Sequence, residues 1–248
     1  VRNCLLKKLA NTRWGASQVV LRTTAMALCY SAAEYCAPVW ARSAHVGKVD
    51  AKLSAAMRTV TGCLEPTPLR WLPVLSSIAP PELRRQRITQ QWHDRATNGN
   101  LDRPFASILR AAPKTGRLKS RHPFHNSEDG AFNVQKAWVL DWTTNTPKGG
   151  DYISAPSERR KPAGFEEGSR RHWVTANRLR TRTARTGASR FLWGQRDSPA
   201  CPHGCDTAQT VEHVVQHCAE TKLEGGFAHV EDFTAEFQGW AERLECRV

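Results

Sequence analysis

VGKVDAKLSAAMRTVTG, residues 46–62, is the stretch that most clearly indicates how this chain folds. Apolar residues stand at positions 46, 49, 53, 57 and 60, which are three or four residues apart and so mark one face of a helix. Gly62 follows, and glycine is common just after a helix C-terminus. The stretch predicts an amphipathic helix that ends at Gly62 and buries one face.

The sequence on either side predicts further helices. Residues 16–37 form a dense apolar stretch rich in alanine, which stops at Pro38. Several prolines between 66 and 80 permit only short helical turns. Pro81 can then begin a basic helix, and its predicted buried side consists of Leu83, Ile88 and Trp92.

The second half of the chain is less regular. Residues 97–168 are rich in turn residues and contain one short helical pattern around 134–142, so we interpret them as a linker. Ser169 can cap a helix that would point Trp173, Ala176 and Leu179 inward. With almost no strand pattern, we predict an all-α fold with regions 1–96 and 169–248 on either side of the linker.

Composition restricts the classes of function. The chain has 248 residues, of which 40% are hydrophobic and nine are tryptophan, which is enough for a buried core. Its net charge of +13 favours polyanions, nucleic acid first and anionic membrane surfaces second. No run of eighteen apolar residues and no secretory signal is visible, so we expect an intracellular protein without a membrane partner.

Charge is unevenly distributed in the C-terminal half. Residues 159–196 contain eleven Lys or Arg and two acids, whereas residues 206–248 contain nine acids and three bases. A polyanion would therefore be attracted to the first block and repelled by the second. In the basic block we predict that five arginines contact nucleic-acid phosphates: Arg178, Arg180, Arg182, Arg185 and Arg190. Trp193 could stack a base, but we favour a place in a small core.

CPHGCDTAQTVEHVVQHC, residues 201–218, has the spacing of a metal site. Cys201 and Cys205 flank a short turn, and His213 and Cys218 follow on a predicted short helix that Thr210 could cap, giving Cys-x3-Cys-x7-His-x4-Cys. Four such ligands leave no open coordination position. We predict one structural Zn²⁺ rather than a hydrolytic one, and the chain also lacks an HExxH pattern.

The choice of histidine stays open at this stage. His203 lies inside the turn and His217 follows His213 by one helical turn, so each could replace it. We favour His213, because His217 is adjacent to Cys218 and successive helical residues point about 100° apart. The other cysteines upstream lie in apolar sequence and are interpreted as small buried hydrophobes.

Six stretches together resemble the C-terminal part of reverse transcriptases of non-LTR (LINE-type) retrotransposons. They occur in order over nearly the whole chain: LLKKLANTRWGA, LRTTAMALCYSAAEYCAPVWARSAH, LRWLPVLSSIAPPELRR, GRLKSRHPF, WVTANRLRTRTARTGASRFLWGQRDSPACPHGC and QTVEHVVQHC. The resemblance implies a helical thumb-like domain over 1–96, the linker 97–168, and a knuckle domain over 169–248. It also implies that the knuckle ligands are Cys201, Cys205, His213 and Cys218.

The resemblance also shows which parts of such a polymerase are missing. No adjacent aspartate pair of a polymerase palm occurs, and no endonuclease region is present. We therefore expect no enzymatic activity from this chain, although its parent family is an RNA-directed DNA polymerase. The chain begins at Val1 directly in amphipathic sequence, so we expect it to be a piece of a longer protein. A domesticated remnant of a retrotransposon is one such piece.

Two functions follow as hypotheses. The first is a nucleic-acid-binding module whose partner is RNA or DNA. The missing palm of the polymerase is a possible second partner. A nuclear location is expected if the chain acts with retrotransposon machinery. The alternative is a zinc-stabilised protein-interaction domain that docks through its acidic C-terminal helix. That helix has an apolar face made of Phe233, Phe237, Trp240 and Leu244, although we expect the face to pack on the chain's own core.

Overall fold

Helices make up almost all regular structure in the computed structural model, which describes residues 1–11, 15–97, 132–145 and 156–244. The described helices are α1 (Arg2–Leu9), α2 (Gln18–Ala25), α3 (Ser31–Glu34), α4 (Ala37–Trp40), α5 (Val46–Thr61), α6 (Trp71–Ser76), α7 (Pro81–Thr97), α8 (Val134–Asn145), α9 (Arg170–Arg180), α10 (Gly187–Leu192), α11 (Phe227–Glu231) and α12 (Ala235–Arg243). Within these ranges no sheet forms, and one isolated antiparallel bridge joins Ala200 to Ala208. The all-α prediction is confirmed.

The helix predicted from residues 46–62 forms as expected. It spans Val46–Thr61 and ends at Gly62, which has a left-handed φ of 74°. Leu53, Met57 and Val60 are almost fully buried along one face. They belong to the first of two hydrophobic cores, whose largest members are Leu6, Leu21, Tyr30, Leu53, Met57, Trp71, Leu72, Leu75, Ile78, Trp138 and Trp142.

Helix α2 continues through a π-helical turn, Met26–Tyr30, into α3. The chain then turns at Cys36, which has a left-handed φ of 52°, and Pro38 falls within the first turn of α4. The predicted stop before Pro38 is therefore confirmed. The predicted core helix therefore runs without a break from Gln18 to Glu34, with the wider π turn inside it.

Helix α8 lies in the segment that the sequence analysis placed within the linker. Its Trp138 and Trp142 are buried in the first core. The Trp142 ring meets Trp71 edge-on, with 5.5 Å between ring centroids. The helical part of the predicted linker is thus a component of the first core, and the turn-rich stretches 98–131 and 146–155 lie outside the described residues.

The predicted buried side of α7 is only partly correct. Leu83 packs against the first core and Ile88 is half-buried, but Trp92 is 38% exposed. The buried side chains of α7 include Arg84 and Arg85, which are 7% and 6% exposed, besides Gln90 and Ala96. The helical spacing of the apolar residues does not reveal this, because a paired arginine can occupy a buried position as well as leucine can.

Both buried arginines have charged partners from the N-terminal helices. Arg84 forms a bidentate ion pair with Glu34, in which one N···O distance is 2.8 Å. Arg85 forms a bidentate ion pair with Asp50, in which one N···O distance is 3.0 Å. The Arg84 guanidinium also lies 5.2 Å from the centroid of the Tyr30 ring. These contacts fix α7 against the first core and exclude Arg84 and Arg85 as a surface for nucleic acid.

A second core holds the C-terminal region together. It consists of Ala176, Leu179, Ala184, Val211, Val214, Val215, Leu223, Phe227, Val230, Phe233, Phe237, Trp240, Ala241 and Leu244. The four residues of the predicted apolar face are all among them, which confirms that this face packs on the chain itself. The predicted single helix is instead two, α11 and α12, because Thr234 starts a new helix by accepting a hydrogen bond from the Phe237 amide.

Helix α9 connects the two cores through polar contacts at the end of α5. Ser169 caps α9 as predicted, by accepting the His172 amide. Three side chains donate hydrogen bonds to the last carbonyls of α5: Arg170 to Thr59 and Val60, Asn177 to Thr61, and Arg178 to Gly62. These carbonyls have no partner within their own helix, so α9 supplies the donors that α5 lacks.

Gly62 is a sensitive point of this junction. Its left-handed φ suits glycine, and a Cβ there would collide with the side chain of Val174. We expect Gly62→Ala to destabilise the protein by about 2 kcal/mol, roughly half from backbone strain and half from displacing Val174. Denaturant unfolding measures this. In a Val174→Ala background the added cost of Gly62→Ala should fall by about half, and an unchanged cost would contradict the predicted clash.

In the part of the chain that the structure describes, no helix is both long and apolar enough to cross a bilayer.

Candidate metal centre and basic surface

A short loop, residues 199–209, holds the first two cysteines. The Gln209 amide donates to the Pro199 carbonyl at 2.8 Å and closes the loop. Inside it, the Cys201 amide donates to Thr207 at 3.0 Å and the Thr207 amide donates to Cys205 at 2.8 Å. Gly204 has a φ of 76°, which gives the tight reversal between the two cysteines. We call residues 199–209 the metal loop.

A π-helical turn, His213–His217, carries the third candidate ligand, and the fourth, Cys218, directly follows the turn. Thr210 begins the turn by accepting the His213 amide at 3.1 Å, as its predicted capping role requires. The Cys218 amide then donates to the His213 carbonyl at 2.7 Å. In an α-helix, residues five apart point about 140° apart. The predicted short helix forms, but as a π turn, and its wider path lets His213 and Cys218 face one point.

The four predicted ligands converge. Cys201, Cys205, His213 and Cys218 place one ligand atom each within 4.8 Å of all the others. The Cys218 sulfur lies 3.8 Å from that of Cys201 and 3.9 Å from that of Cys205. A tetrahedral ion with metal–sulfur bonds of about 2.3 Å would hold its sulfurs about 3.8 Å apart. These residues can therefore hold a metal ion.

The histidine assignment follows from hydrogen bonding. The His213 Nδ1 atom lies 3.1 Å from the Thr207 hydroxyl, whereas its Nε2 atom is buried and has no partner among the described residues. A buried nitrogen without a partner is costly, and a metal ion at Nε2 would satisfy it. His203 and His217 are both exposed and lie outside the group, so His213 is the histidine that completes it.

The surroundings of the sulfurs favour a bound cation. Burial raises the pKa of Cys218, but hydrogen bonds from the Thr221 hydroxyl and from the Glu220 and Thr221 amides outweigh it, so the net pKa is lowered. The pKa of Cys205 is raised, first by desolvation and then by the neighbouring Cys201 and Cys218 sulfurs, despite a bond from the Ala219 amide. Three thiolates this close repel each other, and a divalent ion would remove that repulsion.

The predicted phosphate contacts separate into two groups. Arg180 is 3% exposed and donates to the Ala163 carbonyl at 3.0 Å and to the Glu231 carbonyl at 2.7 Å. Arg178 is bonded to the end of α5, and Arg182 lies 3.2 Å from the centroid of the Phe227 ring.

These three guanidinium groups are thus engaged inside the protein. Arg182 also pairs with Glu212 at 3.3 Å. Burial lowers the pKa of Arg178 to about 10, with a further contribution from the nearby charge of Arg185, and burial does the same for Arg180. Both remain charged at neutral pH, as structural donors rather than as free contacts for a phosphate.

The other two predicted contacts, Arg185 and Arg190, are exposed. The arginine ion pairs found among the described residues involve Arg70, Arg84, Arg85, Arg87 and Arg182. Arg185 and Arg190 therefore keep their donors available to solvent or to a ligand. Trp193, for which we favoured a place in a small core, is half-buried and belongs to neither of the two cores.

Sequence reasoning missed a cavity beside the metal loop. It measures about 430 Å³ and is lined by Arg185, Gly187, Arg190, Gln195, Arg196, Pro202 and Gln209. The missed lining residues include Arg196, Gln195 and Gln209. The only signal in the sequence was that the basic block lies next to the cysteine cluster. A run of charges does not show which of its side chains share a concave surface.

Comparisons with protein-family models, with curated proteins and with solved structures find no match to this chain. The function inferred below therefore rests on the residues of the chain and their geometry.

Proposed function

We propose that this chain is a zinc-stabilised nucleic-acid-binding module, corresponding to the C-terminal thumb and knuckle region of a non-LTR retrotransposon reverse transcriptase. The observation that supports it most is the pair of exposed arginines, Arg185 and Arg190, which line one cavity beside the metal loop. Free guanidinium groups on a chain of net charge +13 bind phosphate oxygens in preference to most other ligands.

Zinc is the metal that the ligand set fits best. Structural zinc sites use ligand sets such as three thiolates and one imidazole, with ligand atoms at the spacing of a tetrahedron. Four protein ligands leave no position for a reactive water, so the zinc would support the fold of residues 199–218 rather than catalyse a reaction. Cys201, Cys205, His213 and Cys218 would hold it.

The proposed role is binding, without polymerisation. Residues 178, 180 and 182 would build the module, while Arg185 and Arg190 would contact the phosphates of RNA or DNA. The missing palm of a parent polymerase is a proposed second partner, and a nuclear location would accompany such a role. Little sequence preference is expected, because phosphate contacts carry no base information.

The alternative, a protein-interaction module that docks through the acidic C-terminal helix, loses its main support. Its apolar face is already covered, since Phe237 is fully buried and Trp240 is 5% exposed. A docking helix would have to leave the second core first.

The nucleic-acid proposal is tested by salt dependence. We expect the chain to bind single-stranded RNA with an affinity that falls as salt rises. In the Arg185→Gln/Arg190→Gln variant, the slope of log affinity against log salt should flatten by about 1.4, which is about 0.7 for each lost phosphate contact. Fluorescence anisotropy at several salt concentrations measures the slope.

The matched control is Lys8→Gln/Lys48→Gln, which removes the same charge from two exposed positions outside the metal region. It should leave the slope nearly unchanged, and zinc content should be equal in all three proteins. Equal slopes for the arginine variant and the parent would show that Arg185 and Arg190 are only solvated, and would refute the proposed contact surface.

A further inference from the structure

We infer that the cavity beside the metal loop is a binding site for a nucleic-acid phosphate, with Arg196 as its third cation, and that phosphate binding and metal binding there strengthen each other. This inference rests on the proposed nucleic-acid function and extends it to a particular site and to its regulation.

The cavity has the charge that a phosphate requires. Arg185, Arg190 and Arg196 all line it, together with the amide side chains of Gln195 and Gln209, and no carboxylate is among its described lining residues. Three guanidinium groups around one concave site repel each other unless an anion lies between them. A phosphate would accept hydrogen bonds from these forked donors, and its charge would be neutralised.

Arg196 reaches the cavity because position 187 has no side chain. A Cβ at Gly187 would collide with the Arg196 guanidinium and with the Gln209 side chain. The Gly187 amide itself donates to Gln209 Oε1 at 2.8 Å. Glycine therefore allows a cation and an amide side chain to lie directly against the backbone at the start of α10.

The metal loop forms part of the same wall. Pro202 lines the cavity and directly follows the ligand Cys201. Gln209, which is 5% exposed, closes the metal loop on Pro199 and also accepts the Ala188 amide on its carbonyl at 3.1 Å. Gln209 therefore links the loop that holds the metal ligands to the start of α10, the helix that carries Arg190.

This link makes the two binding events interdependent. Metal binding would fix the metal loop and, through Gln209, the positions of the arginines. A phosphate that draws the arginines together would, in turn, favour the loop conformation that binds metal. If one ligand raises the affinity for the other by a given factor, the reverse effect must equal it.

Two measurements test the inference on the full chain. Anisotropy of a labelled single-stranded RNA should show that Arg196→Gln weakens binding about tenfold and flattens the salt slope by about 0.7, with zinc content unchanged. Competition with a chromophoric chelator should show that the same RNA raises the zinc affinity of the parent by about fivefold or more. Gln209→Ala keeps the three arginines, the four metal ligands and both backbone bonds of position 209, but it removes the side-chain acceptor of the Gly187 amide, so it should reduce that increase only in part.

Matched controls are Lys48→Gln for the lost cation and Gln86→Ala for the lost amide, both at exposed positions in the N-terminal half. Failure of the parent to bind RNA would refute the proposed function itself. Normal RNA binding by Arg196→Gln, or a zinc affinity that RNA leaves unchanged, would refute this inference alone. Inorganic pyrophosphate is the remaining probe: if it binds more tightly than RNA, the cavity serves a free phosphate compound and the nucleic-acid assignment is wrong.

Discussion

Cys218→Ser is expected to abolish the proposed zinc binding and to unfold residues 199–218. Cys218 is fully buried, and its sulfur lies within 4 Å of both other cysteine sulfurs. Serine is not a zinc ligand of comparable strength. Structural zinc contributes roughly 10–16 kcal/mol of binding free energy to the folding of small sites, so its loss exceeds what the remaining contacts can replace. Zinc analysis of the purified protein and hydrogen exchange over this segment measure both effects.

Cys36→Ser is the matched control, because Cys36 is exposed and lies outside the metal group. It should retain one zinc per chain and native exchange rates. Among the histidines, His213→Ala should lower zinc affinity strongly, whereas His203→Ala and His217→Ala should not. Retention of stoichiometric zinc by Cys218→Ser, or its loss in His217→Ala alone, would overturn the ligand assignment.

Arg180→Met should destabilise the chain by about 3 kcal/mol without reducing RNA binding by the remaining folded protein. The Arg180 guanidinium donates to Asn177 Oδ1, to the Ala163 carbonyl and to the Glu231 carbonyl, and it lies 5.8 Å from the centroid of the Trp173 ring. Methionine fills similar space but leaves one buried and two part-buried acceptors without this donor. The relief of arginine desolvation offsets part of that cost.

Denaturant unfolding measures this change, provided that the slope of the unfolding free energy against denaturant concentration stays the same. Arg185→Met is the matched control on the same basic segment. Because Arg185 is exposed, its replacement should alter the free energy of unfolding by less than about 0.5 kcal/mol. The two variants should therefore show opposite patterns: Arg180→Met affects stability and Arg185→Met affects RNA binding. Equal stability of both would show that the internal contacts of Arg180 contribute little.

The sequence by itself determined the elements whose cause is local. Helix α5 ends at Gly62 as predicted, because helical periodicity and a left-handed C-terminal residue are both visible in one short stretch. The caps at Ser169 and Thr210 are local in the same sense. The four residues of the candidate metal group were predictable from their spacing, because a tetrahedral site needs four donors from a turn and a short helical segment.

The choice among the histidines needed the tertiary structure. The sequence favoured His213 but left His203 and His217 open, and only the packing shows that the Nε2 atom of His213 is buried without a partner among the described residues. The π turn was also missed, although the separation of five residues between His213 and Cys218 does not fit an α-helix with both on one side. That spacing was the available signal.

Tertiary structure alone decided which arginines are engaged inside the protein and which are exposed. In the sequence, Arg178, Arg180, Arg185 and Arg190 form one basic run, yet the first two donate to carbonyls inside the protein and the last two line an exposed cavity. The physical reason is that helix ends expose carbonyls that need donors, and which arginine lies next to one depends on how distant helices pack. A charge run reports only the number of cations, whereas the fold determines which of them become internal donors and which stay available to an anion.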